Sequence, residues 1–466
     1  MHFPSPVHIL NRLSPTVITT TLSSIRETTT VKPDAIHPKD LDVDPNTGFF
    51  PPKPLPRLPQ KFELWERALV DARRVLTLAE DHREESIAKR PEGELWRGTI
   101  RSWPVLNTSI LHDDIRYLQR AHMVLATMMH FYVHSMPAAQ IEGPIHIPQS
   151  LAVPLVEVST KLGMAPVLTF ADTVLWNWDL INPELPLSIE NMRYVNIFSG
   201  TTTENNFYLT SAAVELKGVE MLRLFEGLVH LRDTQDAFTI AKISQDLKRL
   251  AKIIEELISI FQSIRDTVDP HEFYWACRPW WSGATSKSSS HPGWVLDGVP
   301  DASNLDLGGA SAGQSSVMHA LDIFLDIDHK LEKNRVPAPS PDNQRSDRGF
   351  MERMRRYMPG KHRLYLERLA SAQCSVREVA QQIPSLIAPY NTAVMALKKL
   401  RDVHIRIVVL YVVTKADSPP EGFGSAADVD GERRHGPIRG TGGSDVCNFL
   451  KAGRDATRRT VLMDAI

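Results

Sequence analysis

The sequence predicts a mainly α protein, with a large all-helical C-terminal domain and a smaller mixed α/β N-terminal domain before it. Three observations lead there. Long segments carry apolar residues at the 3.6-residue period of packed helices. Short extended pieces are expected only in the first half, around 146–156 and 192–198. The chain of 466 residues also exceeds the roughly 100–200 of one typical domain.

Read in order, residues 1–45 form a disordered tail or transit segment. The first 33 residues are rich in Ser and Thr, with Arg12, Arg26 and a single acid, Glu27. The proline-rich stretch Pro51–Pro59 opens a small domain over 46–200. In Phe62–Leu76, Leu64, Ala68, Leu69, Ala72, Val75 and Leu76 share one helical face. Further helices are predicted over 113–135, 208–230, 237–267, 315–332, 362–383 and 390–414, most of them in a domain over 201–466. Gly-, Pro- and Ser-rich composition marks loops at 282–313, 334–348 and 416–444, and long loops between patterned helices are where binding groups gather.

Composition excludes several classes. A formal net charge of −2 offers no broad footprint for nucleic acid or anionic lipid. Cys277, Cys374 and Cys447 are far apart and form no CxxC pair, so neither a zinc ribbon nor a disulfide framework is expected, and a reducing compartment fits. The most apolar run, Ile405–Val413, is too short to span a bilayer and carries Arg406. No membrane association is expected, and the cytoplasm is the expected location, with the mitochondrion as the alternative.

Three segments carry candidate chemistry. Gly308-Gly-Ala-Ser-Ala-Gly-Gln-Ser315 is a phosphate loop without its lysine, and it also matches the GxSxG elbow of hydrolases with Ser311 as nucleophile. The elbow needs a strand before it, and Ala302–Leu307 is short and polar, so a flexible loop entering a helix accounts for it better. His404 shares a face with Leu397, Leu400, Ile407, Val408 and Tyr411. A neutral imidazole in a dry groove suits a haem iron, but a hydrogen-bonded core histidine explains the pattern alone, and His362 is an equal candidate. Arg278 stands in the aromatic run Phe273–Gly283. Guanidinium beside aromatic walls suits a planar substrate with a carboxylate; an aromatic core with a rim salt bridge suits it equally.

Taken together, an ordered set of motifs resembles the indoleamine 2,3-dioxygenase family, its fungal members most, over roughly residues 46–466. The set runs Thr47-Gly-Phe-Phe-Pro51, Leu58-Pro59, Phe62-Glu-Leu-Trp65, Leu168-Thr-Phe-Ala-Asp-Thr-Val-Leu-Trp-Asn-Trp178 and Asn191-Met192. It continues through Phe207-Tyr-Leu-Thr-Ser211, Val214-Glu215, Phe273…Arg278…Ser282-Gly283 and Gly308–Ser316. Met354-Arg-Arg-Tyr-Met-Pro359, His362-Arg363, Leu400–Val408, Gly440-Thr-Gly-Gly-Ser-Asp445 and Asn448-Phe-Leu450 complete it.

The resemblance implies one heme b per chain with His404 as its iron ligand, and Ser311, Ala312, Gly313, Asp322 and Arg401 about it. It implies that Arg278 binds the substrate carboxylate and that Phe207 and Phe273 wall the indole. Phe170, Thr173, Val174 and Trp281 line the inner pocket, Ser211 lies near the distal face, and Thr441 closes the site. Phe207, Ser211 and Arg278 are the residues expected to serve catalysis. Phe170 departs from the tyrosine common in animal members, Thr173 replaces a cysteine and Trp281 stands where a leucine is common, which bears on substrate affinity. The implied reaction adds both atoms of O2 across the C2–C3 bond of L-tryptophan or a related indole, giving N-formylkynurenine in the kynurenine pathway. A monomer is expected. A haem-binding sensor or weakly active paralogue is the alternative, and a helical protein without cofactor the third.

Overall fold

In the computed structural model, the residues described are 37–463 except 138–140, 142, 230–235, 285–292, 373, 424–439 and 442–445. The tail or transit segment expected over 1–45 lies outside the described residues up to 36, as does most of the predicted 416–444 loop, whereas residues 37–45 are folded, with a 3-10 turn at Pro38–Leu41 and with Leu41 and Val43 buried.

The entry behaves as its pattern predicts. Phe62 and Trp65 are buried with ring centroids 4.8 Å apart, and α1 (Glu63–Val75) buries Trp65, Ala68, Leu69, Ala72 and Val75. The next helix, α2 (Glu84–Ser102), has no counterpart in the sequence prediction. Pro91, Gly93 and Gly98 lower its propensity and its apolar residues are few, so tertiary bonds carry it. Trp96 Nε1 donates to Ala68 O at 2.9 Å, and Arg97 Nη1 donates to Ser135 O at 2.9 Å. Asp114 caps α3 (Ile115–His134), which is buried continuously from Ala121.

The extended piece expected over 146–156 is mostly helix. Only β1 (Ile145–Ile147) is extended, and α4 (Gln149–Leu162) follows directly. Pro148 and Pro154 hide this helix in the sequence: Pro148 precedes its first turn, and Pro154 is tolerated inside it. β2 (Trp178–Leu180) pairs antiparallel with β3 (Met192–Tyr194), in register Trp178↔Tyr194 and Leu180↔Met192. The partner of β1 is β4 (Trp294–Leu296), parallel to it and outside the half of the chain where extended pieces were expected. A three-residue strand leaves almost no periodic signal.

The helical part is organised by its three longest helices. α5 (Thr202–Val229) lies beside α6 (Ala237–Thr267), and α6 packs along α12 (Pro384–Val408). Asp236 caps α6 by accepting from Phe238 N and Thr239 N, and the buried stripe from Ile243 to Ile264 faces its neighbours. Around these stand α7 (Ser316–Phe324), α8 (Pro341–Arg345), α9 (Phe350–Arg355), α10 (Gly360–Ala370), α11 (Val376–Gln382) and α13 (Val446–Arg458). The helix expected over 362–383 is thus two, α10 and α11. One buried apolar cluster extends from Leu41 to Leu462. Among the described residues, no helix is long and apolar enough to cross a membrane.

Candidate active site

Among the described residues, three turns are wound as π-helix, a geometry rare in proteins and frequent at functional sites. They are Ala171–Leu175, Phe273–Cys277 and Val409–Val413. The first holds Thr173 and Val174 and follows Phe170, the second carries Phe273 and leads into Arg278, and the third directly extends the helix of His404. Nothing in hydrophobic periodicity announces a π turn, so none was legible in the sequence.

The aromatic walls meet. Phe207 on α5 and Phe273 have ring centroids 4.8 Å apart, and Trp281 stacks on Phe207 at 5.2 Å with planes 22° apart. Trp281 also meets Phe273 edge-on at 5.6 Å. A planar ring sandwiched between two others would need them about 7 Å apart, twice the ordinary carbon contact of ~3.5 Å. Phe207 and Phe273 therefore present one continuous aromatic surface. Arg278 is half-buried beside it, its guanidinium over the Tyr274 ring at 5.2 Å. Phe273 also meets Tyr411 of the third π turn at 5.7 Å, and the Tyr411 hydroxyl lies within hydrogen-bonding reach of Ile264 O and Val268 O. Those bonds tie the end of α6 to the helix of His404.

The loop expected over 282–313 brings its Gly-rich end into the same region. A Cβ on Gly309 would lie 1.8 Å from Trp281 O, so only glycine permits this backbone contact. Gln314 joins the loop to the first π turn: its Oε1 accepts from Phe170 N at 2.8 Å and its Nε2 donates to Gly309 O at 2.9 Å. Thr441 docks on the same stretch, with Gly309 N donating to Thr441 O at 3.1 Å and the Thr441 hydroxyl to Ala310 O at 2.5 Å. Gly442 and Gly443 lie outside the described residues. Ser311 caps a short 3-10 turn over Ala312–Gln314. His319 Nε2 bonds Gly313 O at 2.8 Å while Arg355 Nε donates to its Nδ1, and burial with the Arg355 charge lowers this imidazole to about 4. No strand precedes Ser311 and its hydroxyl accepts from Gly313 N, so the arrangement lacks the features of a hydrolase elbow.

His404 stands apart from the other histidines. Among the described residues, every histidine except His362 and His404 has a hydrogen-bonding partner. His362 has no exposed surface and packs against Phe49 at 4.8 Å, leaving no room for a ligand. His404 is enclosed enough that burial, with the Arg401 charge, lowers its pKa to about 4, yet part of its surface stays accessible. Its ring lies 5.8 Å from Phe261 of α6. The imidazole is thus neutral, without a hydrogen-bond partner and only partly covered.

Those properties bear on a metal. Among the described residues, no three His, Cys, Asp or Glu side chains gather to hold a bare ion. A lone imidazole fits an iron whose remaining in-plane ligands come from a macrocycle. One turn before His404, Arg401 pairs with Asp322 of α7 and donates to Gly453 O at 2.8 Å and to the Thr457 hydroxyl. Asp322 also meets His329 Nε2 at 2.7 Å. Burial would raise its carboxyl, but Arg401 and His329 outweigh that and hold it at about 2.

Several supports of the site carried no role in the sequence reading. Asp172 accepts from Thr169 N and the Thr169 hydroxyl, both at 2.8 Å, and meets His122 Nδ1 at 2.7 Å, bracing the first π turn from α3. His130 and His134, one turn apart on α3, hold Trp280 O and Ser282 O at 2.7 and 2.8 Å. The Thr169-x-x-Asp172 spacing was a legible signal, since a short acid three residues after a threonine often bonds back to it. The partners of His130 and His134 lie some 150 residues away and were not.

A helical fold with a neutral, partly accessible imidazole that no hydrogen bond engages, and with an arginine beside an aromatic surface, suits an enzyme acting on aromatic substrates. Comparison makes this specific: the family model described as indoleamine 2,3-dioxygenase matches residues 37–460, and the chain belongs to that family. It is 32% identical to indoleamine 2,3-dioxygenase 1 of Rattus norvegicus, covering 91% of this chain and 95% of the relative. It is 29% identical to the indoleamine 2,3-dioxygenase of Saccharomyces cerevisiae, over 90% and 92%. A 6-hydroxytryptophan 2,3-dioxygenase of Fusarium equiseti is 30% identical, over 89% and 95%.

Proposed function

We propose that the protein is a haem-dependent dioxygenase that inserts both atoms of O2 across the indole C2–C3 bond of L-tryptophan, giving N-formylkynurenine. The observation that carries this reading is His404: a neutral, partly accessible imidazole without a hydrogen-bond partner, on a helix whose next π turn touches Phe273. His404 would hold the iron of one heme b, with Asp322 and Arg401 steadying its helix and Ser311, Ala312 and Gly313 at the cofactor's edge. When bound, a ferrous haem supplies the electron density that activates dioxygen.

The rest of the site serves to bind and orient. Phe207 and Phe273 offer the indole a flat apolar face, and Phe170, Thr173, Val174 and Trp281 bound the inner space. Arg278 suits the carboxylate by its two-pronged geometry. The Ser211 hydroxyl donates to Phe207 O at 3.0 Å, so Ser211 shapes the distal side and does not serve as a base. Fixing the ring against the reactive centre and keeping water out is the protein's contribution to the barrier. Thr441 closes the amino-acid end. The same reading takes the chain as a monomer located in the cytoplasm, with 46–200 as the smaller unit and 201–466 as the larger.

The test is turnover by the purified full-length protein, loaded with haem and kept reduced, with L-tryptophan and O2. N-formylkynurenine should form in proportion to tryptophan consumed. A protein that takes up haem and shows a normal Soret band but yields no formylkynurenine would be the sensor of the alternative reading.

A further inference from the structure

Glu215 is 2% exposed and lies on α5 one turn beyond Ser211 and two beyond Phe207. Its Oε1 accepts from the Ser315 hydroxyl, and its Oε2 has no hydrogen-bond partner. Ser315 ends the Ser311–Gln314 turn and caps α7, its oxygen accepting from Met318 N at 3.2 Å. Nearby, α5 and α7 approach so closely that a Cβ on Gly218 would lie 2.3 Å from Val317 Cγ1. The helix bearing Phe207 and Ser211 is thus joined to the segment bearing Ser311–Gly313 by packing at one point and by a single carboxyl at the next.

The surroundings of that carboxyl favour its neutral form. The groups facing it are Ser315 from the start of α7 and the Tyr194 phenol of β3, which itself donates to Val174 O at 3.0 Å. Among the described residues no cation offsets a charge there. A carboxylate would be buried with one of its two oxygens bare, an expensive state in a low-dielectric interior. Burial accordingly pushes the group up from the ordinary 4.5 to about 7.

We propose that Glu215 is a positioning residue that works as an uncharged acid, holding the Ser311–Gly313 turn at a fixed distance from the Phe207–Ser211 face, and that its ionisation releases the turn. The proposal rests on the dioxygenase reading for what the turn is positioned to do. Ionised, the bare oxygen must draw in water or swing from its place, and either motion pulls on Ser315 and the α7 cap. The linkage has a definite sign. Below pH 4.5 folded and unfolded chains both hold the proton. Between 4.5 and about 7 only the folded chain holds it, so its folding constant falls about tenfold per pH unit. Above about 7 neither holds it, and the dependence ends.

The experiment compares full-length wild type with Glu215→Gln, a neutral isostere that still accepts from Ser315. Infrared spectra should show a protonated-carboxyl stretch in wild type at pH 6 that is gone at pH 8.5 and missing from the glutamine variant. In denaturant titrations of the haem-free protein, the stability ratio of wild type to variant should fall about tenfold per unit from pH 5 to 7, then level off. Haem-loaded wild type should lose kcat/KM about tenfold per unit above pH 7, while the variant stays flat. Identical pH profiles for the two proteins, or no carboxyl band at pH 6, would overturn the proposal. If Glu215→Gln does not fold, Ser315→Ala replaces it, removing the same bond from the other side. A wild-type pH profile and haem affinity in that variant would also overturn it. Failure of the dioxygenase reading looks different, since no formylkynurenine forms at any pH. Infrared and haem-uptake profiles then still decide the role of Glu215.

Discussion

Arg401, one turn before His404 on the same helix, donates to Asp322, and Asp322 turns its other carboxylate oxygen to His329. The carboxylate thereby links α7, the segment after it and α12 behind the candidate cofactor position. Removing it leaves the half-buried Arg401 without its counter-charge. Asp322→Ala should destabilise the haem-free protein by about 3–5 kcal/mol, measured by denaturant unfolding at pH 7. Because the folded-state value lies at about 2, below the ordinary 3.8, this stability is complete above pH 3.8. It is lost as pH falls through about 2, so the difference between wild type and variant should shrink only in strong acid.

His404→Ala should purify nearly colourless, since among the described residues no other partly accessible histidine lacks a hydrogen-bond partner. His362→Ala serves as the contrast: it opens a cavity beside Phe49, lowers the melting temperature and leaves the Soret band of the folded fraction intact. Absorbance per mole of folded protein distinguishes the two. A coloured His404→Ala protein with normal activity would remove His404 from the site.

Arg278→Ala should cost about 10–150-fold in kcat/KM for tryptophan, the equivalent of one charge-assisted bond of roughly 1.5–3 kcal/mol. Arg278→Lys should restore only part, because an ammonium group lacks the planar fork. An indole without the carboxylate should be nearly indifferent to the change. If melting falls sharply while tryptophan kinetics hold, the residue supports the Tyr274 stack and not the substrate.

Asp172→Ala removes the acceptor of three donors from His122 and Thr169. Each buried donor left bare costs about 1–3 kcal/mol. The first π turn should loosen as a unit, raising KM through Phe170, Thr173 and Val174. Hydrogen exchange over 169–175 would report it: protection equal to wild type means the turn holds without its strut.

The sequence disclosed what repeats and concealed what depends on distant partners. α6 fills its predicted span of 237–267, since a long apolar stripe with an Asp cap needs no context. α2 stayed hidden because its glycines, proline and charges fit a loop until Ala68 and Ser135 are in place. The pocket residues were legible only through their ordered resemblance to a family; periodicity alone left His404 and His362 equal. What separates those two is burial, complete for His362 and partial for His404, which no linear pattern encodes. Glu215 and Gln314 stood inside recognised motifs without a role, because their work is to join segments roughly 100 and 140 residues apart.

The three π turns give the site a vulnerability of another kind. A π turn carries one residue more than the α turn it replaces, and each residue advances a helix by about 100°. Deleting Val409 or Leu410 would let that turn relax to ordinary winding and swing Tyr411 away from Phe273, with every remaining side chain unaltered. The pocket is therefore written partly as a tally of residues. A scan of point replacements would pass over that layer of the code, whereas a library of single-codon deletions would expose it.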